Sequence, residues 1–210
     1  MSTKRKRRPK ALLLDFDDTV VSFIETLCKI HNKKYGTCIS HHDIKSWDFA
    51  GMEITDARGN KVTGEDLRNT FKYFEDHGMY AALQPLPYAK YALDTAHEIG
   101  YKIIILTARP EQYRIATEWN ILSNDIAYDE LYFDWDKVKK IKELSKDNNI
   151  VLFADDKPST VQAVAENCKV KNVFLIKNPA NEQSIVDLHE DIKIANDLMD
   201  CIKELKQINK

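Results

Sequence analysis

The sequence predicts an open α/β fold, a parallel sheet with helices on both faces, and three observations carry that reading. Short apolar runs rich in β-branched residues recur at 11–14, 102–106, 150–154 and 172–176, too short for helices and suited to strands buried on both sides. Amphipathic stretches with helical periodicity fill the gaps between the later runs. The resulting order of strand, helix, strand, helix calls for parallel strands joined by right-handed crossovers.

Taken in order, Ala11–Leu14 is the first strand. Val21–Tyr35 is helical and stops at Gly36, a residue suited to the left-handed turn after a helix. Ser40–Lys45 is a short helix with Ser40 as its cap. Glu53–Thr63 contains Arg58-Gly59-Asn60, the turn of a small hairpin. Thr63 then caps a helix reaching Asp76. Helices follow at Tyr88–Ile99, ending before Gly100, and at Glu111–Leu122, Lys137–Lys146 and Ser159–Cys168. The segment between Val20 and Leu86 holds no strong buried strand and is too long for an ordinary connection, which rarely exceeds about 15 residues. The expected organisation is therefore a basic disordered tail over 1–10, an α/β core over 11–20 and 87–210, and a largely helical cap over 21–86.

Composition excludes several classes. A chain of 210 residues with 43% hydrophobic and 30% charged residues can bury one ordinary core. Six glycines and six prolines rule out collagen-like or low-complexity architecture. No apolar run approaches the roughly 18 residues of a membrane span. The basic start leads into only four apolar residues before Asp15, short of the ~7 that a signal peptide needs. Cys28, Cys38, Cys168 and Cys201 form no CxxC pair and read as reduced thiols of a cytoplasmic protein. Net charge is −2, but Lys4, Arg5, Lys6, Arg7, Arg8 and Lys10 carry six positive charges, so residues 11–210 alone stand at −8. The basic start is a solubilising leader or a contact for nucleic acid phosphates.

The first strand leads into Asp15-Phe16-Asp17-Asp18-Thr19, the second into Thr107-Ala108-Arg109-Pro110, and the third into Asp155-Asp156-Lys157-Pro158. Parallel strands bring these groups to one edge, the carboxyl edge, where open α/β sheets bind ligands. Two like charges about 4 Å apart repel by roughly 4 kcal/mol at an effective dielectric of about 20. Four clustered carboxylates therefore call for a cation, and an all-oxygen donor set favours Mg²⁺. Such a metal shares its open positions with water and phosphate, which suggests phosphoryl transfer. His41-His42-Asp43, lacking partner ligands at useful spacing, reads as a solvated helix start.

Asp15-x-Asp17-x-Thr19, the strand ending Ile-Leu-Thr107-Ala-Arg-Pro, a lysine at a helix start and Phe-Ala-Asp155-Asp156-Lys-Pro resemble the four motifs of the haloacid dehalogenase superfamily, in order over residues 11–178. The resemblance implies a Rossmann-like core and a Mg²⁺-dependent phosphatase. Asp15 is then the nucleophile that forms an aspartyl-phosphate, and Asp17 the acid that protonates the leaving oxygen and later the base for water. Thr107 and Ala108 hold phosphoryl oxygens with Lys137, and Thr19 orders the loop beside them. Asp15, the main-chain carbonyl of Asp17, and Asp156 with Asp155 direct or through water supply the metal site. Lys137 is preferred as the motif lysine over Lys139, Lys140, Lys142 and Lys157 because it opens its helix.

A finer resemblance is to 5′(3′)-deoxyribonucleotidases, through Ile44-Lys-Ser-Trp47-Asp48-Phe49, Phe74, the stretch Leu83-Gln-Pro-Leu-Pro87 and Asp136-Lys137. It implies a nucleoside monophosphate as substrate, with Phe23, Trp47, Phe49 and Phe74 as candidates to hold a base or sugar. Trp47, Phe49 and Phe74 read by themselves as core residues of the cap ahead of substrate contacts. Arg109 has two readings, a structural ion pair or a substrate contact. Alternatives are a 3′-phosphatase acting on nucleic acid ends, a phosphatase of another small metabolite, or a non-catalytic nucleic-acid-binding module. Asp18 stands where many of these nucleotidases have glycine, and the hairpin and basic tail are departures that put the nucleotide preference in question. Oligomeric state is left open, a homodimer included.

Overall fold

The computed structural model describes residues 7–208. Of the predicted basic tail, residues 1–6 lie outside the described residues. The remainder joins the fold: Arg8 donates to the Ser145 carbonyl, Asn149 N–H donates to the Pro9 carbonyl at 2.8 Å, and Lys10 already belongs to the first strand.

The elements run β1 (Lys10–Leu14), α1 (Phe23–Tyr35), β2 (Glu53–Thr55), β3 (Lys61–Thr63), α2 (Gly64–Asp76), α3 (Ala89–Glu98), β4 (Lys102–Thr107), α4 (Arg114–Ser123), β5 (Glu130–Phe133), α5 (Lys137–Leu144), β6 (Asn149–Asp155), α6 (Pro158–Asn167), β7 (Val173–Ile176), β8 (Ile192–Ala195) and α7 (Leu198–Ile208). Six strands form one sheet in the order β5-β4-β1-β6-β7-β8, parallel throughout. β1 sits where the order reverses, and that reversal opens a crevice at the carboxyl edge of an α/β sheet.

Period-two alternation sorts the strand residues into two cores. Leu12, Leu14, Ile103 and Ile105 pack with α1, α3 and α7, whereas Ala11, Leu13, Ile104 and Leu106 pack with α5 and α6. The three-layer α/β class expected from the sequence is the one observed. Among the described residues no helix is long and apolar enough to cross a membrane.

Two sheet strands escaped the sequence reading. β5 and β8 are the edge strands, and Glu130-Leu-Tyr-Phe and Ile192-Lys-Ile-Ala lack the continuous apolar run that marks a strand buried on both faces. The helix expected at Ser40–Lys45 contracts to one 3-10 turn, His41–Asp43, although Asp43 still accepts from the Ser40 amide and hydroxyl. The helix expected from Glu111 begins at Arg114 after a 3-10 turn. α7 had not been predicted.

The segment after β1 contains α1, the expected β2–β3 hairpin and α2. Thr63 caps α2 as predicted, its hydroxyl accepting from Asp66 N–H while the Asp66 carboxylate accepts from Thr63 N–H. Its apolar residues Phe49, Ile54, Val62, Leu67, Phe74 and Leu83 belong to the same core cluster as one face of the sheet. α1 meets α2 through a buried polar pair: His31 Nδ1 lies 2.8 Å from the Thr70 hydroxyl, which itself donates to the Asp66 carbonyl at 2.9 Å. With that hydroxyl proton committed, Nδ1–H of His31 is the donor.

Two outcomes follow from this packing. Burial lowers the pKa of His31 below its ordinary value. The unfolded chain therefore binds the extra proton first, near pH 6.5, and the stability contributed by neutral His31 is lost as pH falls below that value. Melting temperature should drop between pH 7 and 5.5, and the drop should be smaller in His31→Asn. At the start of α2, a methyl group on Gly64 would lie 1.8 Å from the Phe49 carbonyl oxygen. Gly64→Ala should cost about 1–3 kcal/mol, read in thermal melts as about 2–4 °C per kcal/mol for a chain of this size.

Candidate active site

Strand register assembles the site. Leu14 pairs with Ala154, so Asp15 and Asp155 come next to each other at the strand ends. Leu14 also pairs with Ile105, which brings Thr107 to the same edge from the other side. Carboxylate oxygens of Asp15, Asp155 and Asp156 lie within 4.8 Å of one another, and all three residues are buried.

Lys137, the first residue of α5, reaches into this group. Its Nζ donates to Asp15 Oδ1 at 2.5 Å and to Asp155 Oδ2 at 2.6 Å. Burial alone would lower the lysine's pKa, but the Asp15 and Asp155 carboxylates outweigh it and hold the value above the ordinary lysine range. Asp15 is pushed up to about 7, chiefly by burial, with Lys137 opposing and the neighbouring acids adding. Asp156 is also raised, by burial first and then by Asp155 and Asp15. Three buried acids around one lysine leave excess negative charge, and a cation bound by oxygen ligands relieves it.

Asp155 and Asp156, which the sequence did not separate, differ in occupancy. Both Asp155 oxygens are engaged, Oδ2 by Lys137 and Oδ1 by the Lys157 amide at 2.8 Å. Asp156 accepts from the Asn178 side chain at 3.1 Å and faces the Thr19 hydroxyl at 3.5 Å. Asn181, fully buried, donates from Nδ2 to the main-chain carbonyls of Asp156 and Ile176 and so ties the β6 and β7 ends together. Sequence reasoning missed Asn178 and Asn181; the asparagine-rich stretch directly after the β7 run was the available signal. The residues present fit a hard divalent cation: Asp15 and Asp156 offer oxygens beside Lys137, with no histidine or thiol in the group.

Asp17 faces a different partner. Arg109 forks onto it, Nε to Oδ2 at 2.8 Å and Nη2 to Oδ1 at 2.6 Å, while Nη1 donates to Thr117 at 2.9 Å. The guanidinium lies 4.7 Å from the Phe16 ring centre and 4.3 Å from that of Tyr80. Its main-chain N–H donates to the Thr107 hydroxyl at 3.2 Å, and Arg109 is buried. Of the two readings left open for Arg109, the geometry displays the ion pair. Thr107 is buried at the end of β4 and Ala108 is exposed just beyond it.

Asp18 explains its departure from glycine. It adopts φ +50°, the left-handed region, and its carboxylate accepts from Phe23 N–H at 2.9 Å and Ile24 N–H at 3.1 Å. An aspartate tolerates that backbone and caps α1 as well. Burial, then Asp17, raises its carboxyl pKa to about 8.

The aromatic candidates divide. Phe49 and Phe74 are 4% and 0% exposed, so the expectation that they hold substrate is corrected: both are packed into the core and present no free face. Phe23 is half-buried and meets Phe71 and Phe74 edge-on, each at 5.4 Å. Trp47 is half-buried and lines a cavity of about 230 Å³ with Asp18, Thr19, Ser22 and Asn178.

The sheet order, with acids at its carboxyl edge, is that of a haloacid dehalogenase-like fold. Solved structures agree on the fold. A haloacid dehalogenase-like family hydrolase from Streptococcus pneumoniae is 13% identical with a TM-score of 0.61, over 94% of this chain and 98% of that one. The L-2-haloacid dehalogenase from Xanthobacter autotrophicus, with chloropropionic acid covalently bound, gives 13% and 0.59 over 94% and 98%. The D,D-heptose 1,7-bisphosphate phosphatase from B. bronchiseptica, complexed with magnesium and phosphate, gives 13% and 0.55 over 95% and 99%. No curated protein matches the sequence. The family profile described as 5′ nucleotidase, deoxy (pyrimidine), cytosolic type C protein matches residues 8–182, most of the chain, and the chain belongs to that family of phosphatases.

Lys137→Met leaves the buried Asp15 and Asp155 without their cation. Breaking such a pair costs about 3–5 kcal/mol. The loss should be smaller at pH 5 than at pH 8 in denaturant titrations, because Asp15, already raised to about 7, protonates at the lower pH and sheds its charge.

Proposed function

We propose that this protein hydrolyses phosphate monoesters of nucleosides, deoxynucleoside monophosphates foremost, through a phosphoryl group carried on Asp15. The observation that carries the reading is the placement of Asp15 Oδ1 at 2.5 Å from Lys137 in a buried group of three acids at the sheet's carboxyl edge. On this reading the nucleophile, a cation and the phosphate it receives would share one place. The family match supports the nucleotide as substrate.

Asp15, Asp156 and the main-chain carbonyl of Asp17 would hold Mg²⁺, which supplies charge neutralisation for the phosphoryl oxygens and the carboxylates. Asp155, with both oxygens engaged, instead orients Lys137. The Lys137 ammonium and the Thr107 and Ala108 turn hold the transferring group, and Thr19 steadies the loop behind Asp156. An Asp15 oxygen bonds to phosphorus as the ester oxygen leaves with a proton from Asp17. Asp17 then takes a proton from water, whose oxygen displaces Asp15 and releases phosphate, so both side chains return to their starting state. The segment over 21–86 acts as the cap that closes on the nucleoside, with Phe23 and Trp47 as its contacts. The enzyme acts in the cytoplasm.

Turnover measured on deoxynucleoside monophosphates, sugar phosphates and 3′-phosphorylated oligonucleotides, each with Mg²⁺ or with EDTA, tests this. The mononucleotides should be hydrolysed fastest, and EDTA should abolish the reaction. Asp15→Asn should lower kcat by at least about 10³-fold, and beryllium fluoride with Mg²⁺ should label Asp15 in the wild-type protein. Undiminished turnover in Asp15→Asn overturns the mechanism; preference for oligonucleotide ends overturns the substrate.

A further inference from the structure

We propose that Arg109 is the positioning residue of Asp17: its guanidinium fork fixes the direction in which Asp17 presents its carboxyl to the oxygen leaving the substrate, and Tyr80 holds the fork in place. The inference rests on the acid and base role proposed for Asp17.

Asp17 lies beyond the end of β1, outside the sheet's ladder, in a loop where a single bridge to Val21 holds its backbone. What orients it is Arg109, through two hydrogen bonds of 2.8 and 2.6 Å to its two oxygens. A two-point fork fixes the carboxyl plane, which a single ammonium contact leaves free to rotate. Arg109 is in turn immobilised on three sides. Thr117 of α4 accepts from Nη1, Phe16 from the motif loop lies under the guanidinium, and Tyr80 covers it from the segment after β1. Tyr80 is 3% exposed and is braced edge-on by Phe74 at 4.8 Å. The side chain of Arg109 is 2% exposed, against 25% for Asp17. The arginine is thus the buried anchor and the aspartate the member that faces the crevice. Cation and ring contacts of this kind gain strength when removed from water.

This role differs from substrate binding in a way that kinetics can read. A leaving alkoxide needs the proton from Asp17, while a leaving nitrophenolate scarcely does. Misdirecting Asp17 therefore penalises alkyl phosphates more than aryl phosphates, up to the 10²–10⁴-fold range typical of acid–base catalysis. The readout is the ratio of kcat/KM for a deoxynucleoside monophosphate to that for p-nitrophenyl phosphate, a ratio independent of the fraction of folded enzyme. Arg109→Lys keeps the charge and removes the fork. It should lower the ratio at least tenfold, and Tyr80→Leu, which leaves the ion pair intact, should lower it about threefold. In an Asp17→Asn background, itself low in ratio, Arg109→Lys should change the ratio by less than twofold, since the residue it positions is gone.

Three results overturn the proposal. An unchanged ratio in Arg109→Lys, with KM and the inhibition constant of inorganic phosphate raised for both substrates alike, makes Arg109 a phosphate contact. A ratio that falls in Arg109→Lys by the same factor with and without Asp17 makes its effect independent of Asp17. If Asp17→Asn alone leaves the ratio unchanged, the acid role of Asp17 fails, and the positioning of it fails with that role.

Discussion

A buried lysine between two buried carboxylates is the contact on which the rest of this site depends. Burial by itself drives Lys137 toward its neutral form and Asp15 toward its protonated one, and either change would dissolve the attraction between them. Only because Nζ sits at hydrogen-bond distance from both Asp15 and Asp155 does the charged arrangement persist. The pair costs desolvation and gains definition: Asp15 is held at the strand end by its contact with Lys137, close to Asp156.

The sheet sets up that contact. Parallel strands in register deliver Asp15 and Asp155 together from β1 and β6, and the α5 crossover returns from the β5 edge so that its first residue lies over the same strand ends. Helix and strand directions thus converge three distant parts of the chain without a long loop. Asn181 then fixes the turn after β7 to the carbonyl of Asp156, which keeps the third acid in place.

Charge is also divided between two cations. Lys137 serves Asp15 and Asp155, while Arg109 serves Asp17 alone. Two carboxylates two residues apart are thereby held in unlike surroundings, one among acids with a lysine, the other beneath a planar guanidinium stacked between aromatic rings. That asymmetry is the physical ground for the different tasks proposed for the two aspartates. The segment after β1 takes part through Tyr80, and its apolar residues continue the core of one sheet face.

The central strands were legible because burial on both faces writes an unbroken apolar run, and the acids at their ends were legible because each run stops abruptly at them. Local patterning put Asp15, Thr107 and the Asp155-Asp156 pair at strand ends, and the resemblance in motif order over residues 11–178 added Lys137. Edge strands β5 and β8 were not legible, since half-exposed strands carry mixed sequences. Nor could local sequence tell Phe49 and Phe74 in the core from aromatics facing the cavity, because both kinds of site demand the same residue types. Which oxygen meets which cation is a matter of register and approach angle. The Asn178 amide on Asp156 and the Arg109 fork on Asp17 join residues 22 and 92 positions apart, and only the folded arrangement of strands and helices brings them together.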